Sequence, residues 1–183
     1  MAEQPLTAQP PDIASAREIL RDAFTRIIEH VDDLTDDLDD EVSFFRPTSV
    51  SGEQANSICW LIWHSARITD AQLAQIADIE QVWFSGGWVT RFALDLPPDA
   101  HGYGHSAEEV GKVRVPADLL SGYYHAVHKM TLEYVAGITA AELARVVDEE
   151  WSPPVTASER LVSIIDDCAQ HLGQAKYVRG IAN

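Results

Sequence analysis

Three residues in two separate segments have the types and the spacing of a divalent-metal site. Asp167 precedes His171 by four residues in LVSIIDDCAQHLGQAKYVRG (residues 161–180), so in a helix both side chains reach the same point beside it. His64 lies in another helical segment, where its neighbours at helical spacing are largely apolar. Two imidazoles and a carboxylate would leave coordination positions open to water or a substrate, as catalytic metal sites require. Zinc is the expected ion, and nickel and iron(II) accept the same ligands.

Each of these residues also has a purely structural interpretation. A histidine on an apolar helix face is often a hydrogen-bonded core residue, and Asp167 could orient His171 or face solvent. Cys168 could approach the same centre as a thiolate, although a small buried core residue is the preferred interpretation. Arg67 and Asp70 are predicted to form an ion pair rather than to act in catalysis. No catalytic residue is assigned, since no pattern defines a general base.

The other histidines are weaker candidates for metal binding. His101 and His105 bracket Gly-Tyr-Gly and could share a metal by their spacing. Flexible glycines hold ligands poorly, so a loop-packing or pocket-rim role is expected instead. His125 and His128 are expected at the surface or the boundary of their helix.

Apolar residues recur at three- and four-residue steps in four long segments, which predicts four long helices. They are residues 12–31, 54–79, 116–136 and 156–180. Ser106 and Thr156 are each followed three residues later by Glu, which predicts capping boxes. Asp12 is the expected start of the first helix and Gly180 the expected end of the last.

The remaining segments connect these helices. Residues 80–105 have no sustained period and are predicted to form a long structured loop between the second and third long helices. Its aromatic residues are Trp83, Phe84, Trp88 and Phe92. They could wall a pocket over the metal or plug the end of the bundle. Short helices are expected after Ser106 and at residues 139–147, and the acidic residues 32–41 suit a solvated helix end and loop. That run has no central glycine, which disfavours a calcium loop.

The predicted fold class is therefore all-α. We expect a four-helix bundle in a single domain (residues 12–183), preceded by a flexible, proline-rich tail (residues 1–11).

Composition limits the partners. The 183 residues carry a formal net charge of -16, which disfavours nucleic acid and anionic membranes. Two cysteines do not make a disulfide framework, and MAEQPLTAQPP lacks the features of a signal peptide. A cytoplasmic protein is expected.

Two motifs resemble the DinB-like superfamily of metal-binding four-helix bundles. NSICWLIWHSARITD (residues 56–70) looks like its second helix, and HLGQAKYVR (residues 171–179) is similar to its last helix. A likeness in GYGHSAEEVGKVR (residues 102–114) extends the resemblance over residues 12–182.

The resemblance implies a metal held by one histidine of the second helix and by a pair of residues four apart on the last helix. That pair is often His-x3-His, and it is Glu-x3-His in mycothiol-dependent members such as maleylpyruvate isomerases and thiol S-transferases. His64 and His171 match the motif. Asp167 departs from both patterns, because its carboxylate is one methylene shorter than that of Glu.

Two functions are compatible with this sequence. The first is a metal-dependent S-transferase or isomerase that uses a low-molecular-weight thiol on small electrophiles. The second is a non-catalytic metal- or small-molecule-binding module of a stress response. A homodimer through helix faces is compatible with either, although no residue pattern defines its interface.

Overall fold

The computed structural model describes residues 13–182, so the predicted flexible tail and the predicted helix start at Asp12 lie outside the described residues. The helices and strands within that range are, in chain order, α1 (Ile13–Thr35), α2 (Asp40–Phe44), α3 (Ile58–Ala77), α4 (Val82–Ser85), α5 (Trp88–Phe92), α6 (Ala107–Lys112), α7 (Ala117–Gly137), α8 (Ala140–Ala144), β1 (Val146–Asp148), β2 (Val155–Thr156) and α9 (Ala157–Ala182).

The predicted four-helix bundle is confirmed, and its long helices are α1, α3, α7 and α9. Both α1 and α3 pack against α7 and α9, so α1 and α3 are diagonally opposite. Amphipathic helices bury their apolar stripes towards a shared core in this arrangement.

Helix α3 is buried around its whole circumference over much of its length. Every residue from Ile58 to Asp70 is buried. The bundle core covers one side of this helix. The segment with α4 and α5 covers another, where Trp83, Trp88 and Phe92 are all buried. A helix enclosed in this way is a well-packed platform for His64.

Several predicted boundaries are wrong. Helix α3 starts at Ile58, four residues later than expected, because the Ser57 hydroxyl accepts from the backbone N–H of Trp60 and caps it there. Helix α9 continues through Gly180 to Ala182. Residues 80–105 include the short helices α4 and α5 as well as irregular loop, and the expected helix at 139–147 gives way to β1.

Strands β1 and β2 pair as a small antiparallel ribbon, which the all-α prediction lacked. None of the described helices combines the length and the apolar character that a membrane span requires.

Both predicted capping boxes are confirmed, at the starts of α6 and α9. In the second, the Glu159 carboxylate accepts from the Thr156 N–H at 2.7 Å, and the Thr156 hydroxyl accepts from the Glu159 N–H at 3.3 Å. We expect Thr156→Ala to lower the free energy of unfolding by about 1 kcal/mol, because the Glu159 N–H loses its partner. Ser163→Ala, an exposed change on the same helix, should shift it by less than about 0.5 kcal/mol. Urea denaturation measures both, and equal stability of the two variants would contradict the role of the cap.

Candidate metal centre

The structure brings His64, Asp167 and His171 together between α3 and α9. One potential ligand atom of each residue lies within 4.8 Å of the others. His64 is 5% exposed, whereas the side chains of His171 and Asp167 are 20% and 36% exposed. One side of the cluster is therefore buried and the other is open, which would let a small molecule reach it. Among residues 13–182, no other group of three His, Cys, Asp or Glu side chains converges in this way.

A backbone hydrogen bond fixes the orientation of His64. Its Nδ1 lies 2.6 Å from the carbonyl oxygen of His101. A carbonyl can only accept, so Nδ1 carries the hydrogen and the lone pair of the neutral ring is on Nε2. Burial lowers the pKa of His64 to about 4, which keeps the ring neutral at physiological pH. A neutral imidazole with one fixed tautomer is the form that binds a metal.

The His64 ring is also held by its neighbours. Trp60 stacks on it with ring centroids 4.6 Å apart, and His171 meets it edge to face at 4.8 Å. The Trp60 indole N–H donates to Nδ1 of His105 at 3.3 Å, which ties the stack to the loop before α6. His105 thus has the packing role predicted for it.

Asp167 and His171 provide the second half of the cluster. Oδ1 of Asp167 lies 3.5 Å from Nε2 of His171, and this carboxylate raises the pKa of the imidazole. Oδ2 of Asp167 and Nδ1 of His171 are buried and have no hydrogen-bond partner among the described residues. Buried polar atoms without partners are costly in a folded protein, and a bound cation would supply a partner to acceptors of this kind. The residues therefore fit a divalent metal with nitrogen and oxygen ligands.

Gly102 is the position at which the loop approaches His64 most closely. Its φ is +98°, and a Cβ there would lie 2.5 Å from Nδ1 of His64 and 3.0 Å from Cζ2 of Trp60. Neither this glycine nor the His101 carbonyl was a sequence candidate. The Gly-Tyr-Gly motif is the signal that could have identified the glycine, whereas a backbone acceptor has no side-chain signal.

We expect Gly102→Ala to weaken zinc binding on the order of tenfold, because the new methyl group displaces the His64 ring from its carbonyl partner. Gly104→Ala is a matched control: φ is +75°, so the backbone strain is similar, but a Cβ there has no neighbour within 4 Å. Competition against a chromophoric zinc chelator measures both affinities. Equal affinities for the two variants would show that the close approach does not position His64.

Arg67 and Asp70 form the predicted ion pair, with 3.7 Å between Nη1 and Oδ2, and both side chains are buried. Asp70 accepts from the backbone N–H groups of Val82 and Trp83, and Arg67 donates to the carbonyl oxygens of Asp99 and Ala100. The pair therefore fixes both ends of the segment that leads to His101. Tyr123 of α7 also belongs to this hydrogen-bond network, since its hydroxyl donates to Asp70 at 2.7 Å. The sequence did not indicate this contact.

The aromatic residues of 80–105 pack against the side of the bundle and, in the described part of the chain, do not form a pocket with any of the three candidate ligands. Trp83, Trp88 and Phe92 are buried against Tyr123 and seal the side of the bundle, while Phe84 is 38% exposed. Trp83 also lines a cavity of about 260 Å³ together with Trp63 of α3.

The remaining candidates have structural roles. Cys168 is buried, as predicted, and lies within 3.3 Å of the hydroxyl oxygens of Tyr124 and Thr69. Burial raises the pKa of its thiol to about 11, which leaves it protonated and unreactive. His125 is half exposed beside Asp32, as expected of a surface residue, and His128 is partly buried.

Comparison with known proteins agrees with this architecture. A conserved protein from Enterococcus faecalis, whose crystal structure is known, superimposes with a TM-score of 0.80 at 34% sequence identity, over 88% of this chain and 94% of that one. No curated protein matches the chain significantly. Fold and motifs together define a DinB-like four-helix bundle. Residues 19–183 match the mycothiol S-transferase family, and the chain belongs to that family.

Proposed function

We propose that this protein is a metal-dependent S-transferase that joins a low-molecular-weight thiol to a small electrophile. Mycothiol is the first candidate for that thiol. The observation that carries the proposal is the convergence of His64, Asp167 and His171, with buried acceptor atoms left unpaired, in a member of the mycothiol S-transferase family. We propose these three residues as the metal ligands, and zinc as the ion. A divalent ion bound there would lower the pKa of a thiol and so make it a nucleophile at neutral pH.

The chain's own residues prepare the site for this chemistry. His64 stays neutral because of burial and presents Nε2, while His101 holds its other nitrogen. Asp167 supplies a negative charge that reduces the net charge of a bound cation. Trp60, which stacks on His64, excludes water from the buried side. In the reaction the thiol sulfur forms a bond to the electrophilic carbon, and the thiol proton leaves with the displaced group or passes to the addition product.

A groove beside the cluster supports entry of a thiol. It measures about 330 Å³ and is lined in part by Leu61, Gln174 and Tyr177. Leu61 is one turn before His64 on α3, and Gln174 is one turn after His171 on α9. The groove therefore lies within one helical turn of two of the proposed ligands along their helices, and the Gln174 amide could donate and accept hydrogen bonds with a polar thiol.

Turnover is the direct test. Zinc-loaded protein is mixed with chlorodinitrobenzene or maleylpyruvate and with mycothiol, bacillithiol or glutathione, and product formation is followed by absorbance. We expect metal-dependent turnover with mycothiol, and its loss in the metal-stripped protein and in His171→Ala. Zinc-loaded protein that consumes no thiol with either electrophile would instead support the non-catalytic binding module.

A further inference from the structure

A chain of buried hydrogen bonds joins the two helices that carry the candidate metal ligands. The thiol sulfur of Cys168 on α9 lies 3.2 Å from the hydroxyl oxygen of Thr69 on α3. The hydroxyl of Tyr124 on α7 donates to the same sulfur at 3.3 Å. Each of these three residues is 3% exposed or less. The hydrogen bonds therefore tie α9 to α3 and, across the core, to α7.

The direction of each hydrogen bond follows from the hydrogens that are available. Thr69 has one hydroxyl hydrogen, which it donates to the carbonyl oxygen of Ser65 at 2.8 Å. The Thr69 oxygen therefore accepts from the S–H of Cys168, while the sulfur accepts from Tyr124. The sulfur is also 3.9 Å from the Ser65 carbonyl oxygen, so both acceptors within reach of the thiol belong to α3.

Each end of the link between α3 and α9 is next to a candidate ligand. Cys168 directly follows Asp167 and is three residues before His171, and Ser65 directly follows His64. A shift of α9 against α3 would change the separation of ligand atoms that now lie within 4.8 Å of one another. Apolar packing is non-directional, whereas a satisfied buried hydrogen-bond network favours one arrangement, because any other leaves a donor or an acceptor unpaired.

We propose that Cys168 is a positioning residue that holds the α9 half of the candidate metal centre at a fixed distance from His64. It acts through its hydrogen bonds to Thr69 and Tyr124 and does not itself bind the metal. Small displacements matter here, since metal–ligand distances are met to within about 0.2 Å in a well-formed site. The inference rests on the metal ligands of the proposed function, and it is tested without turnover.

The first test compares the two buried cysteines. Cys168→Ala and Cys59→Ala make the same change at positions that are 1% and 0% exposed, but the Cys59 thiol donates to the carbonyl oxygen of Val115, outside α9. Cobalt(II) is titrated into the metal-free proteins, and its visible d–d absorption reports both affinity and coordination geometry. Loss of a direct partner of a ligand typically weakens binding about 10- to 100-fold, so we expect a smaller loss of about three- to tenfold, with an altered d–d band, in Cys168→Ala. Cys59→Ala should match the unmodified protein in both.

A second pair of variants separates hydrogen bonding from packing. Thr69→Val keeps the shape of the side chain and removes the oxygen that accepts from Cys168, whereas Thr69→Ser keeps the oxygen and removes a methyl group. We expect Thr69→Val to weaken cobalt binding as Cys168→Ala does, and Thr69→Ser to retain the affinity of the unmodified protein. Circular dichroism of the metal-free proteins checks the fold, and the Thr69 pair decides the question if Cys168→Ala does not fold.

The inference would be overturned by equal cobalt affinities and spectra in Cys168→Ala and Cys59→Ala, or by equal affinities in Thr69→Val and Thr69→Ser. A sulfur-to-cobalt charge-transfer band that Cys168→Ala removes would also overturn it, because Cys168 would then be a ligand.

These failures are distinct from failure of the proposed function. Unmodified protein that binds no cobalt would overturn the proposed ligands and the positioning role together. Cobalt binding that none of the four variants changes would overturn the positioning role alone. The expected cobalt results without thiol turnover would support the positioning role and overturn the S-transferase function alone.

Discussion

We expect His64→Ala to abolish stoichiometric metal binding. The residue presents the most ordered donor of the cluster, since its ring is stacked on Trp60 and its tautomer is fixed by His101. Loss of an outer partner of a metal ligand typically weakens binding by about 10- to 100-fold, so loss of the ligand itself should exceed about 100-fold. Metal content of untagged protein, measured by mass spectrometry after purification from zinc-replete medium, should fall from one ion per chain to near zero.

His125→Ala is the matched control. It removes an imidazole that is half exposed and paired with Asp32, in a helix that contributes none of the three candidate ligands. We expect that variant to keep its full metal content. Circular dichroism of both variants checks the fold. If folded His64→Ala protein contained as much metal per chain as the unmodified protein, the cluster would not be the metal site.

The carboxylate can be tested in the same way. Asp167→Asn keeps the shape and removes the charge, and it should weaken binding, whereas Asp167→Glu restores the residue of the mycothiol-dependent pattern and should retain it. Unchanged binding by Asp167→Asn would show that the Asp167 carboxylate is not a ligand.

The sequence predicted the parts of the site that depend on one helix at a time. Asp167 and His171 are one turn apart on α9, so their shared face follows from helix geometry alone. The capping boxes at Ser106 and Thr156 are equally local and were predicted correctly. The prediction that His64 faces this pair rested on its apolar neighbours and on the family resemblance.

Interactions between distant segments escaped sequence analysis. The bond from His64 to the His101 carbonyl joins residues 37 positions apart through a backbone atom, which any residue type would provide. Tyr123 lies on α7, and nothing in the helical spacing of that segment indicates its bond to Asp70 of α3. Helices α4 and α5 contain four and five residues, too few to display a helical period.

We expect Asp70→Asn to lower the free energy of unfolding by about 3–5 kcal/mol, because it leaves the buried Arg67 guanidinium without its counter-charge. The exposed Asp22–Arg26 pair is the matched control, since exposed pairs contribute about 0–1 kcal/mol and Asp22→Asn should have little effect. Urea denaturation of the metal-free proteins measures both.

The buried pair should also affect metal binding, which distinguishes it from an ordinary core feature. Asp70 holds the start of the segment that ends at His101, and Arg67 holds its end. When the pair is broken, the His101 carbonyl is less well placed, and zinc affinity should fall with stability. Tyr123→Phe removes one donor to Asp70 and serves as a milder variant if Asp70→Asn does not fold. Tyr123→Phe should lower the free energy of unfolding by about 1 kcal/mol and weaken zinc binding less than Gly102→Ala does. Full stability with unchanged zinc affinity in both Asp70→Asn and Tyr123→Phe would show that the segment holds His101 in place without this network.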